Sequence, residues 1–157
     1  MTIGQILALV GVGIAVILSG MGSSKGVGLA GETAAGVSSE NPEVSSKLLV
    51  LQLLPATQGI YGFLVGIIVL INTGVLGGAM KAVSLEQGIA YIIACLPIGV
   101  VGYYSAIRQA RVASAGMLMT GQRPEMSGKG VTMAVMVETY AVLALLSSFL
   151  MVFFVQI

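Results

Sequence analysis

Residues 130–157 read GVTMAVMVETYAVLALLSSFLMVFFVQI, and this stretch decides what kind of protein the chain is. It exceeds the roughly 20 apolar residues that a helix needs to cross a bilayer, and Glu138 is its only charge. Insertion scales put a charged side chain near the bilayer centre at a cost of about 2.5–3.5 kcal/mol, so a residue held there has a function by default. Glu138 is read first as an ion- or proton-handling carboxylate.

Working outward, the rest of the chain has the same character. Hydrophobic residues make up 57% and charged residues 8% of it, and mean hydropathy is +1.03. Soluble domains carry about 25% charged residues, so the composition is that of an integral membrane protein. There is no His, Asp or Trp and a single Cys, which removes disulfides, Cys/His metal clusters and His-based acid–base or nucleophilic chemistry. A net charge of +1 leaves no electrostatic footprint for nucleic acid. The 22 glycines are about twice the ordinary share, which in a membrane protein points to helices packed at close range. Residues 3–22 are apolar, but no basic residue precedes Lys25. They are read as the first permanent span and not as a secretory leader.

Four apolar segments stand out, at about 3–38, 44–71, 85–120 and 127–155, separated by SSENPEV, NTGVLGGAMKAVS and GQRPEM. The first and third are longer than a bilayer requires, since 36 helical residues span about 54 Å, so their polar ends are expected to project into water. A shift of 82 residues superposes the two halves without a gap. Gly20 meets Gly102, Ser23 meets Ser105, and Pro42-Glu43 meets Pro124-Glu125; Ser45, Lys47 and Thr57 meet Ser127, Lys129 and Thr139. Such self-similarity marks a repeated structural unit. The expectation is an all-α integral membrane protein of four transmembrane helices in two duplicated antiparallel hairpins, residues 1–75 without a membrane carboxylate and residues 84–157 carrying Glu138. Lys25, Lys47, Arg108, Arg111, Arg123 and Lys129 lie near the first and third loops, and only Lys81 lies in the second. The positive-inside rule then puts the loops near Pro42 and Pro124 in the cytoplasm and both termini on the opposite side.

In an antiparallel hairpin, residues equidistant from the turn share a depth. With the turn between Arg123 and Pro124, Glu138 mirrors Gln109. The 82-residue shift puts Ala56 at the depth of Glu138, beside Thr57 and Gln58. One carboxylate, two carboxamides and a hydroxyl therefore converge. These are hard oxygen donors, suited to Na+ or a similar cation, or to a hydrogen-bonded protonated carboxyl, and unsuited to soft metals. Leu54-Pro55 adds a helix-loosening proline, where a backbone carbonyl can serve as a ligand if it lines a buried site.

The duplicated hairpins, with LLPATQGIYG, SAIRQARVASAG, RPE and MVETYA in that order, resemble the proteolipid ring subunit of V-type rotary ATPases, most closely the bacterial Na+-transporting form. The resemblance covers essentially the whole chain. It implies that Glu138 is the ion carrier and that the Na+ ligands are the Leu54 carbonyl, Thr57, Gln58 and Gln109, with Tyr61 hydrogen-bonding the glutamate. It implies a homo-oligomeric ring that binds one Na+ per chain and turns against a stator membrane subunit bearing an arginine. It also implies contact with central-stalk subunits at the cytoplasmic loops and with lipid, coupling to ATP hydrolysis or synthesis in a separate head, and no catalysis by this chain alone. H+ stays open as the carried ion. In a different class, the alternative is an autonomous secondary transporter of duplicated hairpins, although an organic substrate would ask for a roomier pocket.

Some signals are set aside. Residues 26–31, GVGLAG, fit the dinucleotide fingerprint, but no strand precedes them and no acidic ribose partner follows. Gly20, Gly22, Gly26 and Gly28 are read as close-packing positions. Lys25, Arg108 and Arg111 are read as cations snorkelling to the cytoplasmic boundary. Cys95 and the nine Met are read as packing residues.

Overall fold

The computed structural model describes residues 1–78 and 80–155; Gln156 and Ile157, the last two residues of the second hairpin as drawn from sequence, lie outside the described residues. Helix α1 runs Ile3–Glu40. The second span is broken into α2, Ser45–Leu53, a 3-10 turn over Leu54–Ala56, and α3, Thr57–Asn72. Helix α4 runs Leu85–Gln122 and α5 runs Ser127–Phe154. Four stretches, Ile3–Glu40, Pro42–Asn72, Leu85–Gln122 and Pro124–Phe154, are long and apolar enough to cross a membrane.

The repeat seen in the sequence is a repeat in space. Helix α1 begins behind the N-cap Thr2, whose hydroxyl accepts from the Gln5 N–H while the Gln5 side chain returns to the Thr2 N–H. Helix α4 begins behind Ser84 and Gln87 in the same capping box, 82 positions on. Both long helices run two residues beyond the sequence estimate, to Glu40 and Gln122, because nothing stops them earlier. They end where a proline follows: Asn41 and Arg123, the residues before Pro42 and Pro124, adopt φ −136°, ψ 83° and φ −140°, ψ 89°. Crowding by the proline ring drives its predecessor out of the helical region. Each of these helices holds 38 residues, about 57 Å at 1.5 Å per residue, so both exceed a bilayer core.

The symmetry fails at one place. Pro55 lacks the N–H that would close an α-helical turn, and Leu54–Ala56 tightens into a 3-10 turn. Val137 occupies the matching position in the second hairpin, and α5 runs unbroken through it. In the central loop, Gly74 and Gly78 carry φ +74° and +70°, a conformation that glycine adopts without steric cost.

The two long helices pack side by side and parallel, with α3 and α5 flanking them. Small residues make that approach close. The Gly22 Cα lies so near Tyr103 that an added Cβ would sit 2.5 Å from the Tyr103 Cα, and at Gly26 it would sit 2.8 Å from the Ala106 carbonyl oxygen. Two apolar clusters fill the interior. One gathers Ala15, Val65, Val69, Tyr91, Cys95 and Ile98. The other gathers Ala30, Leu48, Leu51, Ala113, Met117 and Ala134 toward the Pro42 and Pro124 turns. The polar residues of the site lie between them.

Candidate functional site

Glu138 projects from the middle of α5 and is half-buried. Its carboxylate accepts two side-chain hydrogen bonds. The Tyr61 hydroxyl, from α3, donates to Oε1 at 2.6 Å, and Gln109 Nε2, from α4, donates to Oε2 at 3.2 Å. Hydrogen bonds to an ionised acceptor are short and about twice as strong as neutral ones, so three helices are tied at one carboxylate. On its outer side Glu138 meets a shallow groove of about 460 Å³, shared with Val135, Thr139, Val142 and Leu143.

Behind the carboxylate lies a continuous polar chain. Gln109 Nε2 also donates to the Ala134 carbonyl at 3.2 Å, and Gln109 Oε1 accepts from Gln58 Nε2 at 2.6 Å. Gln58 and Gln109 are both fully buried. A buried carboxamide costs free energy unless its groups are paired, and here both are paired on two sides. Gln58 Oε1 accepts from the Thr57 hydroxyl at 3.3 Å, and that hydroxyl also reaches the Leu54 carbonyl at 2.9 Å.

The sequence-derived set therefore divides by position. Tyr61 and Gln109 contact Glu138 directly. Gln58 is one side chain further in, and Thr57 with the Leu54 carbonyl closes the far end. The Leu54 carbonyl also accepts the Thr57 N–H, the three-residue bond of a 3-10 turn.

Two serines complete the network. The Ser105 hydroxyl accepts from Gln58 Nε2 at 3.4 Å and donates to the Val137 carbonyl at 3.2 Å. The Ser23 hydroxyl accepts from the Gly59 N–H at 2.7 Å and reaches the Ala56 carbonyl at 3.4 Å, so it bridges the broken helix. Sequence reasoning noted this pair only as evidence of duplication. Their signal was available: Ser105 lies one helical turn before Gln109, and Ser23 is its repeat mate.

The repeat also shows what the first hairpin lacks. Shifted by 82, the positions of Glu138, Gln109, Leu54, Thr57, Gln58 and Tyr61 hold Ala56, Val27, Met136, Thr139, Tyr140 and Leu143. Only the threonine is retained, with the same bond: Thr139 donates to the Met136 carbonyl at 2.8 Å. Lys25, Arg108 and Arg111 are exposed and line a separate cavity of about 250 Å³ with Tyr103 and Tyr104.

The likeness to known proteins follows the same repeat. The sequence profile of the ATP synthase C subunit family matches twice, at residues 10–69 and 92–151, two windows again 82 positions apart. The V-type sodium ATPase subunit K of Enterococcus hirae is 43% identical over 149 residues, covering 95% of this chain and 92% of that protein. The A-type ATP synthase subunit K of Methanocaldococcus jannaschii is 38% identical over 147 residues, covering 93% of this chain and 61% of the relative's own length.

Proposed function

Because this chain belongs to the ATP synthase C subunit family, we propose that it is the ion-carrying rotor-ring subunit of a V-type rotary ATPase, holding one Na+ at Glu138. The observation that carries the proposal is the single membrane carboxylate, bonded to Tyr61 and Gln109 and backed by the oxygens of Gln58, Thr57 and Leu54. One anionic oxygen donor among neutral ones offers a monovalent cation an electrically balanced place inside a low-dielectric membrane. A carboxamide presents oxygen on one side and NH₂ on the other, so Gln109 and Gln58 can each turn oxygen toward a cation. The sodium ATPase relative from Enterococcus hirae favours Na+ as the cargo.

The mechanism follows from where the carboxylate sits. We read one copy as enclosing no path across the bilayer by itself, and Glu138 opens on the outer groove of α5. We read the copies as a closed ring whose rim of Glu138 side chains passes a stator subunit. An ion enters through a half-channel, neutralises the carboxylate, rides through the lipid-facing sector as the ring turns, and leaves at a second half-channel. A stator arginine competes for the carboxylate and blocks leakage. The Pro42 and Pro124 turns face the cytoplasm and meet the central stalk, with both termini on the opposite side. The first hairpin (residues 1–75) acts as scaffold and the second (84–157) as carrier. The chain performs no ATP chemistry; a separate head does so.

Protection against carbodiimide labelling tests the reading in membranes, because the reagent attacks only the protonated carboxyl. Millimolar Na+ near neutral pH should slow modification of Glu138 severalfold. Rotor activity without Na+ protection at any pH would assign H+ as the cargo, the second reading, which the donors already placed at the carboxylate by Tyr61 and Gln109 accommodate.

A further inference from the structure

Of the four glycines of α1 read as close-packing positions, Gly22 and Gly26 lie against Tyr103 and Ala106 of α4, whereas a Cβ added to Gly20 or Gly28 would meet nothing within 4 Å. Between Gly22 and Gly26, Ser23 turns to α3. Its hydroxyl accepts the Gly59 N–H at 2.7 Å and reaches the Ala56 carbonyl at 3.4 Å. Gly59 is the third residue of α3, and the N–H groups of a first helical turn have no partner within their own helix. The side chain just before a helix ordinarily accepts one of them. Here that residue is Ala56, which makes no such bond. Ser23 supplies the cap from another helix, inside a stretch long and apolar enough to cross a membrane.

Ser105, the repeat mate of Ser23, holds the same turn from α4. Its hydroxyl accepts from Gln58 Nε2 at 3.4 Å and donates to the Val137 carbonyl at 3.2 Å. A hydroxyl has one donor and two lone pairs; Ser105 commits the donor to the backbone of α5, which leaves its lone pairs for Gln58. Gln109 Oε1 accepts from the same amide group at 2.6 Å. The Gln58 NH₂ is therefore held on two sides, and Gln58 Oε1 is kept toward Thr57, 3.3 Å from that hydroxyl. Ser23 is 7% and Ser105 6% exposed, so both sets of bonds are made out of reach of water. Glu138 takes its own bonds from Tyr61 and Gln109 and not from either serine.

We propose that Ser23 and Ser105 are positioning residues that set the preference of the site for Na+ over H+. A proton occupies one oxygen of Glu138 and asks nothing of the spacing of its neighbours. A sodium ion asks for several oxygens at one distance, and the neutral ones, from Leu54, Thr57 and Gln58, all belong to the turn that the two serines brace. Ser23 acts on the backbone of that turn, and Ser105 acts on the Gln58 carboxamide. Groups that hydrogen-bond to a metal's ligands orient them, and losing one weakens such a site by about 10–100-fold. Proton binding at Glu138, which neither serine contacts, is spared.

The role rests on the reading of Glu138 as a Na+ site, and the test separates the two. Carbodiimide modification of Glu138 is followed in membranes by mass spectrometry of the chain. Ser23→Ala and Ser105→Ala should each raise the half-protecting Na+ concentration by about tenfold, while the pH profile of labelling in Na+-free buffer overlays that of the parent. Ser148→Ala is the control. Ser148 is fully buried and accepts the Ile98 N–H at 3.1 Å, but it lies about 15 Å along α5 from Glu138. Its loss removes a comparable buried bond and should leave half-protection unchanged. Where an alanine variant does not assemble, the cysteine variant keeps the volume with only a weakly bonding sulfur and carries the same expectation. Unchanged half-protection overturns the role of that serine. A displaced pH profile, or an equal rise in Ser148→Ala, overturns the role of both and leaves the Na+ reading standing. A parent chain that Na+ protects at no pH overturns the Na+ reading and this role together.

Discussion

At Glu138 the geometry states what each neighbour contributes. Tyr61 reaches the carboxylate at 2.6 Å, and a hydrogen bond to a charged group contributes about 1.5–3 kcal/mol. Tyr61→Phe should therefore raise the Na+ concentration that half-protects Glu138 from carbodiimide by about tenfold or more. Unchanged half-protection would remove Tyr61 from the site. Most of these residues were legible in the sequence, for a physical reason. A buried polar group in hydrocarbon is costly, so Gln58, Gln109 and Glu138 stand out against an apolar background without any structure. Ser23 and Ser105 did not stand out, because serine is small and commonly satisfies its own helix; their cross-helix bonds exist only once α1, α3, α4 and α5 are packed.

Among the elements, the break at Pro55 has the clearest consequence. It leaves the Leu54 carbonyl accepting the Thr57 N–H at the depth of the carboxylate. Pro55→Ala restores an N–H and lets α2 and α3 fuse, placing that carbonyl in the four-residue bond of an α-helix. The fold should survive and the half-protecting Na+ concentration should rise, whereas Thr139→Ala, in the hairpin that lacks the site, should leave it unchanged. Packing between the two long helices depends on glycine in a position-specific way. Gly22→Ala would drive a methyl to 2.5 Å from the Tyr103 Cα, and such overpacking costs about 1–3 kcal/mol. The thermal midpoint of the detergent-solubilised protein should fall. Gly36→Ala, with open space around it, should hold or raise that midpoint, since alanine favours helix by up to about 1 kcal/mol over glycine.

For the whole molecule, the repeat puts Ala56 where the second hairpin has Glu138, and the proposed function then predicts the stoichiometry. Equilibrium binding of radioactive Na+ to purified protein should saturate at one ion per chain and fall to none in Glu138→Gln, with that variant still assembling because the amide keeps the shape of the acid. Two ions per chain would mean that the Ala56 half binds through groups the repeat does not reveal.

The sequence by itself determined the membrane class, the four spans, the 82-residue repeat and the single carboxylate of the last apolar stretch. These follow from composition, from hydrophobic length and from residue identity, none of which needs a fold. The depth of Gln109 was also accessible, because an antiparallel hairpin ties depth to distance from its turn. Only the tertiary structure decided which glycines of α1 meet α4 and which face outward, and only it showed that Thr57 and Leu54 reach Glu138 through Gln58 and Gln109 and not directly. Helical periodicity tells which residues share a face. The partner of that face is chosen by the packing of all four spans at once, and no local pattern in a uniformly apolar sequence encodes that choice.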